Sequence, residues 1–535
     1  MKLKNLILGI IFIFLSTLIC TDANAFSGHQ YYVKNSRTPK YLYVIQQNDL
    51  SSAENTMIAT LQGVISNKSD SQIYTLNKNQ PDYRIWLEDL KENYGVNYSM
   101  VEDPWYLLDK FKSFVKGYVL YDNSSKKDPS INNACSLAAL KDSIAVDKSL
   151  ETKVKNMGIK MQQDCRNTDK YWAYDNLWNR GLNHSTVIEL SPGRDSALRD
   201  YGIMSRSLVF YEDDPKDFSL RNKVFESMES DSTCLGWGPD EKGNISTASR
   251  NGVSVVPADW SYNLTVLSAF PSSPLIQKNG SDSTKNSASK NTHYVTFIMS
   301  DGDNQQWNLG SNFGSSKWYG SPERGSFNMG FSISPSLYEL APTVLKMYYK
   351  NASSNTSKDY FTVSPSGNGY MYPSEFKSDS LKPFLKRLNS YMKNSDQKYV
   401  SVLDNWSLYN RNLWDKYTAC SNIQGIFYLN YNRQDDYKGK IVWSRGKPVV
   451  SCRNLLWSKI EENEDLARDI NRYVKNGFTD ISRPEAYTFV YVHAWSKSME
   501  DVNEVIRQLN KNPSVKVVAP DTFMELIMEN VKHNE

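Results

Sequence analysis

The C-terminal half of the sequence alternates short apolar segments with amphipathic segments, and this alternation restricts the possible folds more than any other feature. The apolar segments are continuous runs, as in strands buried on both faces, and the amphipathic segments have apolar residues at helical spacing. HYVTFIMS, DYFTVS, KYVSVLD and YTFVYVHAW predict strands, for example, and SLKPFLKRLNSYMKN predicts a helix. Because strands joined by helices run parallel, the pattern predicts an α/β fold with predominantly parallel strands.

The number of predicted strands indicates how this sheet is arranged. About seven or eight apolar runs in the C-terminal half favour a closed or nearly closed β/α barrel. An open, doubly wound sheet is the alternative. In both arrangements functional groups lie beyond the carboxyl ends of the strands, so residues that directly follow the apolar runs are the candidates for a site.

The N-terminal half has strand and helix signals in a less regular order. It opens with a strand, a helix and a second strand between residues 41 and 76, which is a βαβ pattern. The segment 277–291, QKNGSDSTKNSASKN, has almost no apolar residue and predicts a linker or loop. We therefore predict a multi-part α/β N-terminal region at 26–276, a linker at 277–291 and a C-terminal domain at 292–535.

The first 25 residues have the three parts of a secretory signal peptide. Two lysines precede the apolar run LILGIIFIFLSTLIC, and Ala23-Asn24-Ala25 supplies small residues for cleavage. The run is about 15 residues long, whereas a membrane span needs about 20. We predict that residues 1–25 are removed and that the mature protein is secreted or extracytoplasmic, with no integral membrane segment.

Charge and cysteine usage exclude several classes of function. The 62 basic and 59 acidic residues are spread evenly, so there is no basic surface that would indicate nucleic acid as a partner. The sequence has no CxxC pair, no GxSxG elbow and no GxxxxGK[ST] loop, and we predict neither a metal nor a cofactor. In an oxidising compartment, Cys135 with Cys165 and Cys420 with Cys452 could each close a disulfide loop.

Two aspartates separated by one glycine directly follow the first strand of the C-terminal half. Asp301 and Asp303 would point the same way in an extended chain, so both carboxylates could meet one ligand. Repulsion between them would raise the proton affinity of one, which would provide an acid and a base. We take both as catalytic candidates, with Asn304 as a substrate-binding candidate. An exposed Asp-Gly turn is the alternative.

Polar and aromatic side chains also follow two later strands. His493 and Trp495 come after YTFVYV, and alternation would send both to the same side. Asp404 and Trp406 follow KYVSVL in the same way. We take His493 and Asp404 as further catalytic candidates, and Trp495 and Trp406 as aromatic surfaces for a sugar. A hydrogen-bonded structural histidine is the alternative for His493.

The segment GNGYMYP follows the predicted strand DYFTV. Gly367 and Gly369 permit close approach of the backbone to a ligand, and Tyr370 and Tyr372 offer aromatic faces with hydroxyl groups. These four residues are candidates for substrate binding. A tight structural loop with packed tyrosines explains the same residues equally well.

The same segment matches every fixed position of the signature that names the GxGYxYP family, which is described as a family of glycoside hydrolases. Further segments resemble that family in the same order along most of the mature chain: LGWGPDE at 235–241, ADWSYNLTVLS at 258–268, SDGDN at 300–304, GFSISPSLYELAP at 330–342 and VHAWS at 492–496. The resemblance implies a multi-part N-terminal region, a signature-bearing C-terminal domain and a glycan or glycoside substrate.

Three functional hypotheses follow. The first is a secreted carbohydrate-active hydrolase in which Asp301 or Asp303 works with a second carboxylate from Asp404, Glu375, Asp240 or Glu241, the last two also being candidates for substrate binding. The second is a non-catalytic glycan-binding surface protein. The third, a divergent polysaccharide deacetylase, is disfavoured because the chain lacks the two closely spaced histidines of such metal sites.

Overall fold

Within residues 31–278, 290–354 and 357–533, which the computed structural model describes, the chain forms four β-sheets with helices packed around them. The predicted signal peptide, 1–25, lies outside the described residues, and so does most of the predicted linker. In the described part of the chain, no helix combines the length and the apolar character needed to cross a membrane.

Three small sheets with parallel strands form the N-terminal region. Each sheet together with its helices is called an N-terminal unit, and the units are numbered in chain order. The first unit contains β1 (Tyr41–Gln46), α1 (Ser52–Ile65), β2 (Ser71–Leu76), α2 (Asp82–Tyr94), β3 (Asn97–Val101) and α3 (Pro104–Phe111). The second contains β4 (Tyr118–Tyr121), α4 (Ser130–Lys141), β5 (Ile144–Asp147), α5 (Glu151–Asn156), β6 (Met161–Asp164) and α6 (Trp172–Leu177). The third contains β7 (Asn183–Glu189), α7 (Arg199–Ser205), β8 (Ser207–Phe210), α8 (Ser219–Glu226), β9 (Ser232–Gly236), α9 (Glu241–Arg250), β10 (Val253–Val256) and α10 (Leu264–Leu267).

The fourth sheet belongs to the C-terminal region and has ten strands. In chain order, the first elements of this region are β11 (His293–Met299), α11 (Gln305–Gly310), β12 (Met329–Ile333), α12 (Leu337–Leu340), α13 (Pro342–Asn351), β13 (Asp359–Val363), α14 (Ser378–Ser395) and β14 (Tyr399–Asp404). The remaining elements are α15 (Arg411–Thr418), β15 (Gly425–Asn430), β16 (Ile441–Ser444), β17 (Lys447–Ser451), β18 (Asn454–Leu456), α16 (Asn463–Lys475), β19 (Tyr487–Val492), α17 (Met499–Leu509), β20 (Val515–Val517) and α18 (Pro520–Asn530).

The order of these strands distinguishes the two predicted arrangements. Strands β11 to β15 lie side by side in chain order, β17 follows β15, and β19 pairs with the other side of β11. A doubly wound sheet would reverse this order about a central strand, so that alternative is wrong. All pairings are parallel except β16 with β17, which confirms the predicted parallel α/β fold. The sheet curls into a half-barrel with β16 and β18 at its two ends.

The first residue of the predicted linker is held firmly by the C-terminal sheet. The side-chain amide of Gln277 donates to the carbonyl oxygens of Phe361 (3.0 Å) and Asp396 (2.9 Å), and its Oε1 accepts from the Phe361 N–H (2.7 Å). At the other end of the segment, Asn291 forms an isolated β-bridge with Asp480. Gln277 therefore packs as part of the C-terminal domain.

Neither of the two disulfides considered above is formed. Cys135 and Cys165 are both free and buried, and Cys420 and Cys452 are free as well. The thiol groups have other partners, since Cys420 Sγ donates to the Leu385 carbonyl (3.7 Å) and Cys452 Sγ to the Asn454 carbonyl (3.0 Å).

Candidate carboxylate site

A cavity of about 320 Å³ lies where the carboxyl ends of the C-terminal strands face the third N-terminal sheet. Side chains that follow β11, β13 and β19 reach it from one side, and residues that follow β9 reach it from the other. Its lining consists of Trp237, Glu241, Asp301, Asp303, Asn304, Gln306, Pro365, Tyr370, Leu403, Tyr491 and Trp495. We call it the carboxylate cavity after Asp301, Asp303 and Glu241.

Asp301 occupies a tight turn at the end of β11. Its φ of 64° lies in the left-handed region, so the carboxylate is aimed by a turn and not by strand alternation. Trp495 Nε1 donates to Asp301 Oδ1 (2.8 Å), and Ser300 Oγ donates to Oδ2. Both donors favour the ionised form, but burial beside Glu241 outweighs them and raises the pKa of Asp301 to about 6.

Asp303 lies deeper and has fewer partners. Its residue is only 8% exposed, and no side chain in the described residues donates to its carboxyl group. Burial and the neighbouring Asp301 carboxylate hold the pKa of Asp303 well above its usual range. Both effects disfavour the charged form of Asp303, whereas Asp301 has two donors that favour its ionised form.

The glycine between these aspartates is required by packing. A Cβ on Gly302 would lie 1.8 Å from the carbonyl oxygen of Ser332, and the Gly302 N–H donates to Ser332 Oγ (3.0 Å). Only glycine allows the turn to lie this close to the end of β12. The contact holds Asp301 and Asp303 against the sheet while both side chains enter the cavity.

Glu241 brings a third carboxyl group from the N-terminal region. It is the first residue of α9, whose N-cap is Asp240, with the Asp240 side chain accepting from the Gly243 N–H (2.6 Å). Partial removal of the carboxylate from water raises the pKa of Glu241, opposed by a hydrogen bond from the Tyr370 hydroxyl (2.9 Å). Asp240 itself does not line the cavity, because capping directs its side chain back to the helix.

The signature loop contributes one wall of the cavity through Tyr370. The rest of the loop joins two parts of the molecule, since Tyr370 and Val255 of β10 exchange backbone hydrogen bonds (2.7 and 2.9 Å). Added Cβ atoms on Gly367 and Gly369 would approach Phe384 and the Val255 carbonyl to 2.9 Å each. The close approach that these glycines permit is therefore to α14 and β10, not to a ligand.

Tyr372 is fully buried outside the cavity lining. Its ring packs edge-on against Tyr370 (5.8 Å between centroids) and Tyr431 (5.2 Å), and its backbone N–H donates to Ser249 Oγ (2.9 Å). It supports Tyr370 from behind.

Two of the predicted substrate-binding residues, Trp495 and Asn304, lie in the cavity lining. The Trp495 side chain is 44% exposed, and its ring packs edge-on against Trp307 (5.2 Å). An exposed indole that is fixed at one edge can stack on a sugar ring. The cavity also contains Trp237, Gln306 and Tyr491, which the sequence analysis missed. Of these three residues, only Tyr491 could have been indicated by the sequence, because it shares the alternation in YTFVYVHAW from which Trp495 was predicted.

His493 does not reach the cavity. The strand β19 ends at Val492, so alternation no longer directs the next side chains, and a turn separates His493 from Trp495. The imidazole stacks on Trp457 (3.7 Å between centroids), and its Nδ1 pairs with Ser496 Oγ (2.8 Å). Burial, with Lys317 nearby, lowers the pKa of His493 to about 4. The arrangement is that of a hydrogen-bonded structural histidine.

Asp404 ends the same edge of the sheet but points away from the cavity. Leu403 lines the cavity, and adjacent residues of a strand point to opposite faces. The Asp404 carboxylate accepts from the Ser374 N–H (3.0 Å), Ser374 Oγ (2.8 Å) and Ser407 Oγ. Trp406 is 60% exposed and also lies outside the lining.

Glu375, the remaining candidate for the second carboxylate, links the segment that follows β14 to α9. Its carboxylate accepts from Asn405 Nδ2 (3.1 Å) and from Ser246 Oγ on α9. Glu375 therefore connects the N-terminal and C-terminal regions and lies outside the cavity lining.

Among the described residues, no three His, Cys, Asp or Glu side chains are grouped closely enough to hold a metal ion.

The raised pKa of Asp301 has a consequence for stability. Its folded value of about 6 exceeds an unfolded value of about 4, so the folded state binds this proton more tightly and stability falls as pH rises through that window. The variant Asp301→Asn lacks this penalty. We expect its free energy of unfolding to exceed the parent's by about 1–2 kcal/mol at about pH 7.5, allowing for partial exposure, and to match it near pH 4. Urea denaturation at the two pH values measures the difference, and an equal gain at both would contradict this explanation.

The fold and the cavity define a multi-domain α/β protein whose C-terminal half-barrel carries a cavity lined by carboxyl groups. Four family models match consecutive parts of the chain: a first domain at 41–113, a second at 115–182, a third at 184–269 and the "GxGYxYP putative glycoside hydrolase C-terminal domain" at 291–528. The chain belongs to the GxGYxYP family, as its signature segment predicted.

A solved structure is similar to nearly the whole chain. The crystal structure of a "putative hydrolase" from Bacteroides thetaiotaomicron is 32% identical in sequence, covers 94% of this chain and 97% of its own, and superposes with a TM-score of 0.86. No curated protein gives a significant match.

Proposed function

We propose that the protein hydrolyses glycosidic bonds in the carboxylate cavity, with Asp303 as general acid and Asp301 as nucleophile or base. The observation that carries the proposal is the meeting of two unlike carboxyl groups at one cavity. Asp303 is buried without a donor from another side chain, whereas Asp301 receives hydrogen bonds from Trp495 and Ser300. Two carboxyl groups in contrasting environments are what acid–base cleavage of a glycoside requires.

The chemistry follows from these environments. The Asp303 proton would pass to the glycosidic oxygen as the bond from that oxygen to the anomeric carbon breaks. The Asp301 carboxylate would attack the anomeric carbon or take a proton from the water that does so. Glu241, oriented by the Tyr370 hydroxyl, is placed to accept hydrogen bonds from sugar hydroxyls, and the exposed Trp495 indole offers a stacking face.

We further propose that the C-terminal domain is a nearly closed β/α barrel. The segment that joins β17 to β18 supports this view, since the Cys452 N–H donates to Tyr428 of β15 (2.9 Å) and the Arg453 N–H donates to Phe489 of β19 (3.0 Å). One segment thus contacts both sides of the half-barrel. The carboxylate cavity would then occupy the usual position of a barrel site, beyond the carboxyl ends of the strands.

We also propose that the protein acts outside the cytoplasm, after removal of residues 1–25. The basic start, the short apolar run and the Ala23-Asn24-Ala25 segment support this proposal. Mass spectrometry of the exported protein should find a chain that begins at Phe26. Recovery of the whole protein in the cytoplasm with Met1 intact would contradict it.

A substrate panel tests the proposed reaction. The purified protein is incubated with 4-nitrophenyl monosaccharides and tetrasaccharides of hexoses, pentoses and N-acetylhexosamines, with polysaccharides, and with acetylated xylan and chitin. We expect release of nitrophenol or of new reducing ends from at least one glycan. Binding without cleavage would favour the glycan-binding alternative, and release of acetate alone would favour deacetylation.

A further inference from the structure

A second cavity, of about 310 Å³, lies beside the carboxylate cavity, mainly between the first and third N-terminal units, with Lys126 of the second unit at its lining. Its walls include the side chains that follow β1 and β2, the start of α1, and the segments around Arg194 and Trp260. Four of these side chains carry amide groups: Gln47, Asn48, Asn55 and Asn77. We call it the amide cavity. Neither the family signature nor the proposed reaction makes use of it.

The amide groups are held in position by one another and by the backbone. Asn55 Nδ2 donates to the Gln47 carbonyl (3.2 Å), and Asn77 Nδ2 donates to Gln47 Oε1 (2.8 Å). An amide side chain carries both a donor and an acceptor, which matches sugar hydroxyl groups that donate and accept. A preorganised set of amides loses little side-chain freedom when a ligand binds.

The amide cavity also has a fixed aromatic surface. The Trp260 side chain is 39% exposed, and the guanidinium of Arg194 lies over its ring at 3.6 Å from the centroid. Arg194 is itself held by Asp259, to which its Nη2 donates at 3.0 Å. Stacking on one side fixes the indole without covering it. An aromatic ring beside a row of amides is suited to a sugar, which presents C–H groups on its faces and hydroxyl groups at its edge.

The charges of this cavity do not indicate a polyanion as ligand. Arg194 is paired with Asp259, and the other charged groups in the lining, Lys126 and Asp195, have opposite signs. A largely neutral, hydroxyl-rich ligand fits this balance better than a nucleic acid or a phosphorylated molecule.

A hydrogen bond links a lining residue of one cavity to a lining residue of the other. Gln306 lines the carboxylate cavity, and its Oε1 accepts a hydrogen bond from the backbone N–H of Trp260 (3.0 Å), which lines the amide cavity. The Gln306 N–H also donates to the Pro257 carbonyl (3.3 Å). The segment that carries Trp260 is therefore anchored directly to the helix that follows Asp301 and Asp303.

We propose that the amide cavity binds further sugar units of a glycan whose scissile bond lies in the carboxylate cavity, so that the substrate class is an oligosaccharide or polysaccharide. The inference rests on the proposed function for the position of the bond that is cleaved. Its own content is the site around Trp260 and the preference for longer chains that this site confers.

The experiment compares substrate lengths in the variants Trp260→Ala and Trp260→Phe. The substrates are the 4-nitrophenyl monosaccharide and tetrasaccharide of the sugar that the panel identifies. We expect Trp260→Ala to lower kcat/KM for the tetrasaccharide at least about tenfold and to leave the monosaccharide within about twofold, as for loss of one aromatic anchor. Trp260→Phe should retain an intermediate value because it keeps an aromatic face.

A matched control is Tyr106→Ala, since Tyr106 is 48% exposed, belongs to the same N-terminal region and lies outside both cavities. It should change neither substrate. Melting temperatures of all variants separate lost binding from lost folding. An equal effect of Trp260→Ala on both lengths, or no effect on either, would overturn the inference while leaving the proposed reaction intact.

Failure of the proposed reaction would give a different experimental result. If the parent cleaves nothing in the panel, the same tetrasaccharides are immobilised and binding is measured directly. Binding by the parent that Trp260→Ala weakens at least about tenfold would support the amide cavity as a glycan site in a non-catalytic protein. Absence of binding to every tetrasaccharide would overturn the inference together with the proposed function.

Discussion

The variant Asp303→Asn should lose about 10²- to 10⁴-fold in kcat on the glycan that the panel identifies, which is the range for removal of a general acid. The amide preserves the shape of the side chain but has no acidic proton for the leaving oxygen. The uncharged amide should leave the melting temperature unchanged or raised, because burial and the neighbouring Asp301 carboxylate raise the pKa of Asp303 and so disfavour its charged form.

The control for this experiment is Asp404→Asn. Asp404 is also a buried aspartate at a strand end, and burial raises its pKa to about 6, but its side chain points away from the cavity. We expect its kcat per folded molecule to stay within about threefold of the parent. Stability can fall, because the carboxylate accepts hydrogen bonds from Ser374 and Ser407. Loss of turnover in Asp404→Asn with normal turnover in Asp303→Asn would remove the carboxylate cavity from the mechanism.

The variant Tyr372→Ala should lower the free energy of unfolding by about 3–5 kcal/mol, as for other buried aromatic residues. Tyr372 is fully buried between Tyr370 and Tyr431, and the backbone around it joins the C-terminal loop to Ser249 of the third N-terminal unit. Urea denaturation measures the effect. A Tyr372→Ala variant that is as stable as the parent but fails to bind glycan would instead place Tyr372 in the site.

Tyr370→Phe serves as the matched variant on the same loop. It keeps the ring and removes the hydroxyl that donates to Glu241 (2.9 Å), so the fold should be retained. A hydrogen bond to a charged group contributes about 1.5–3 kcal/mol, which corresponds to a fall in kcat/KM of about 10- to 100-fold if Glu241 binds substrate. Unchanged kcat/KM would show that this contact is structural.

The positions of the strands and of the two aspartates could be predicted from local sequence. Apolar runs and helical spacing indicated the parallel α/β fold, because strands without alternation must be buried on both faces. Asp301 and Asp303 were identified by their place at the end of an apolar run, where parallel sheets carry their sites. Trp495 was found in the same way, although by an alternation argument that does not apply beyond the end of β19 at Val492.

Other candidates could not be sorted by local pattern. Asp404, His493 and Asp301 all lie at or just beyond the carboxyl ends of parallel strands of one sheet, yet only Asp301 lines the cavity. Which of them does so depends on the residue at which each strand ends and on the partner that each side chain meets. For His493 that partner is Trp457, and for Asp404 it is Ser374 and Ser407. Such contacts are absent from any short stretch of sequence.

The sequence by itself determined the periodicity of the strands and helices, the glycine that lets Asp301 and Asp303 turn against β12, and family membership through GNGYMYP. These properties depend on side-chain spacing and backbone sterics within a few residues. Only the tertiary structure decided that Glu241 faces the aspartates, that Gly367 and Gly369 pack against protein, and that Trp260 borders a second cavity. Those placements arise from the docking of separate sheets against one another, and packing between distant segments leaves no periodic signal in the chain.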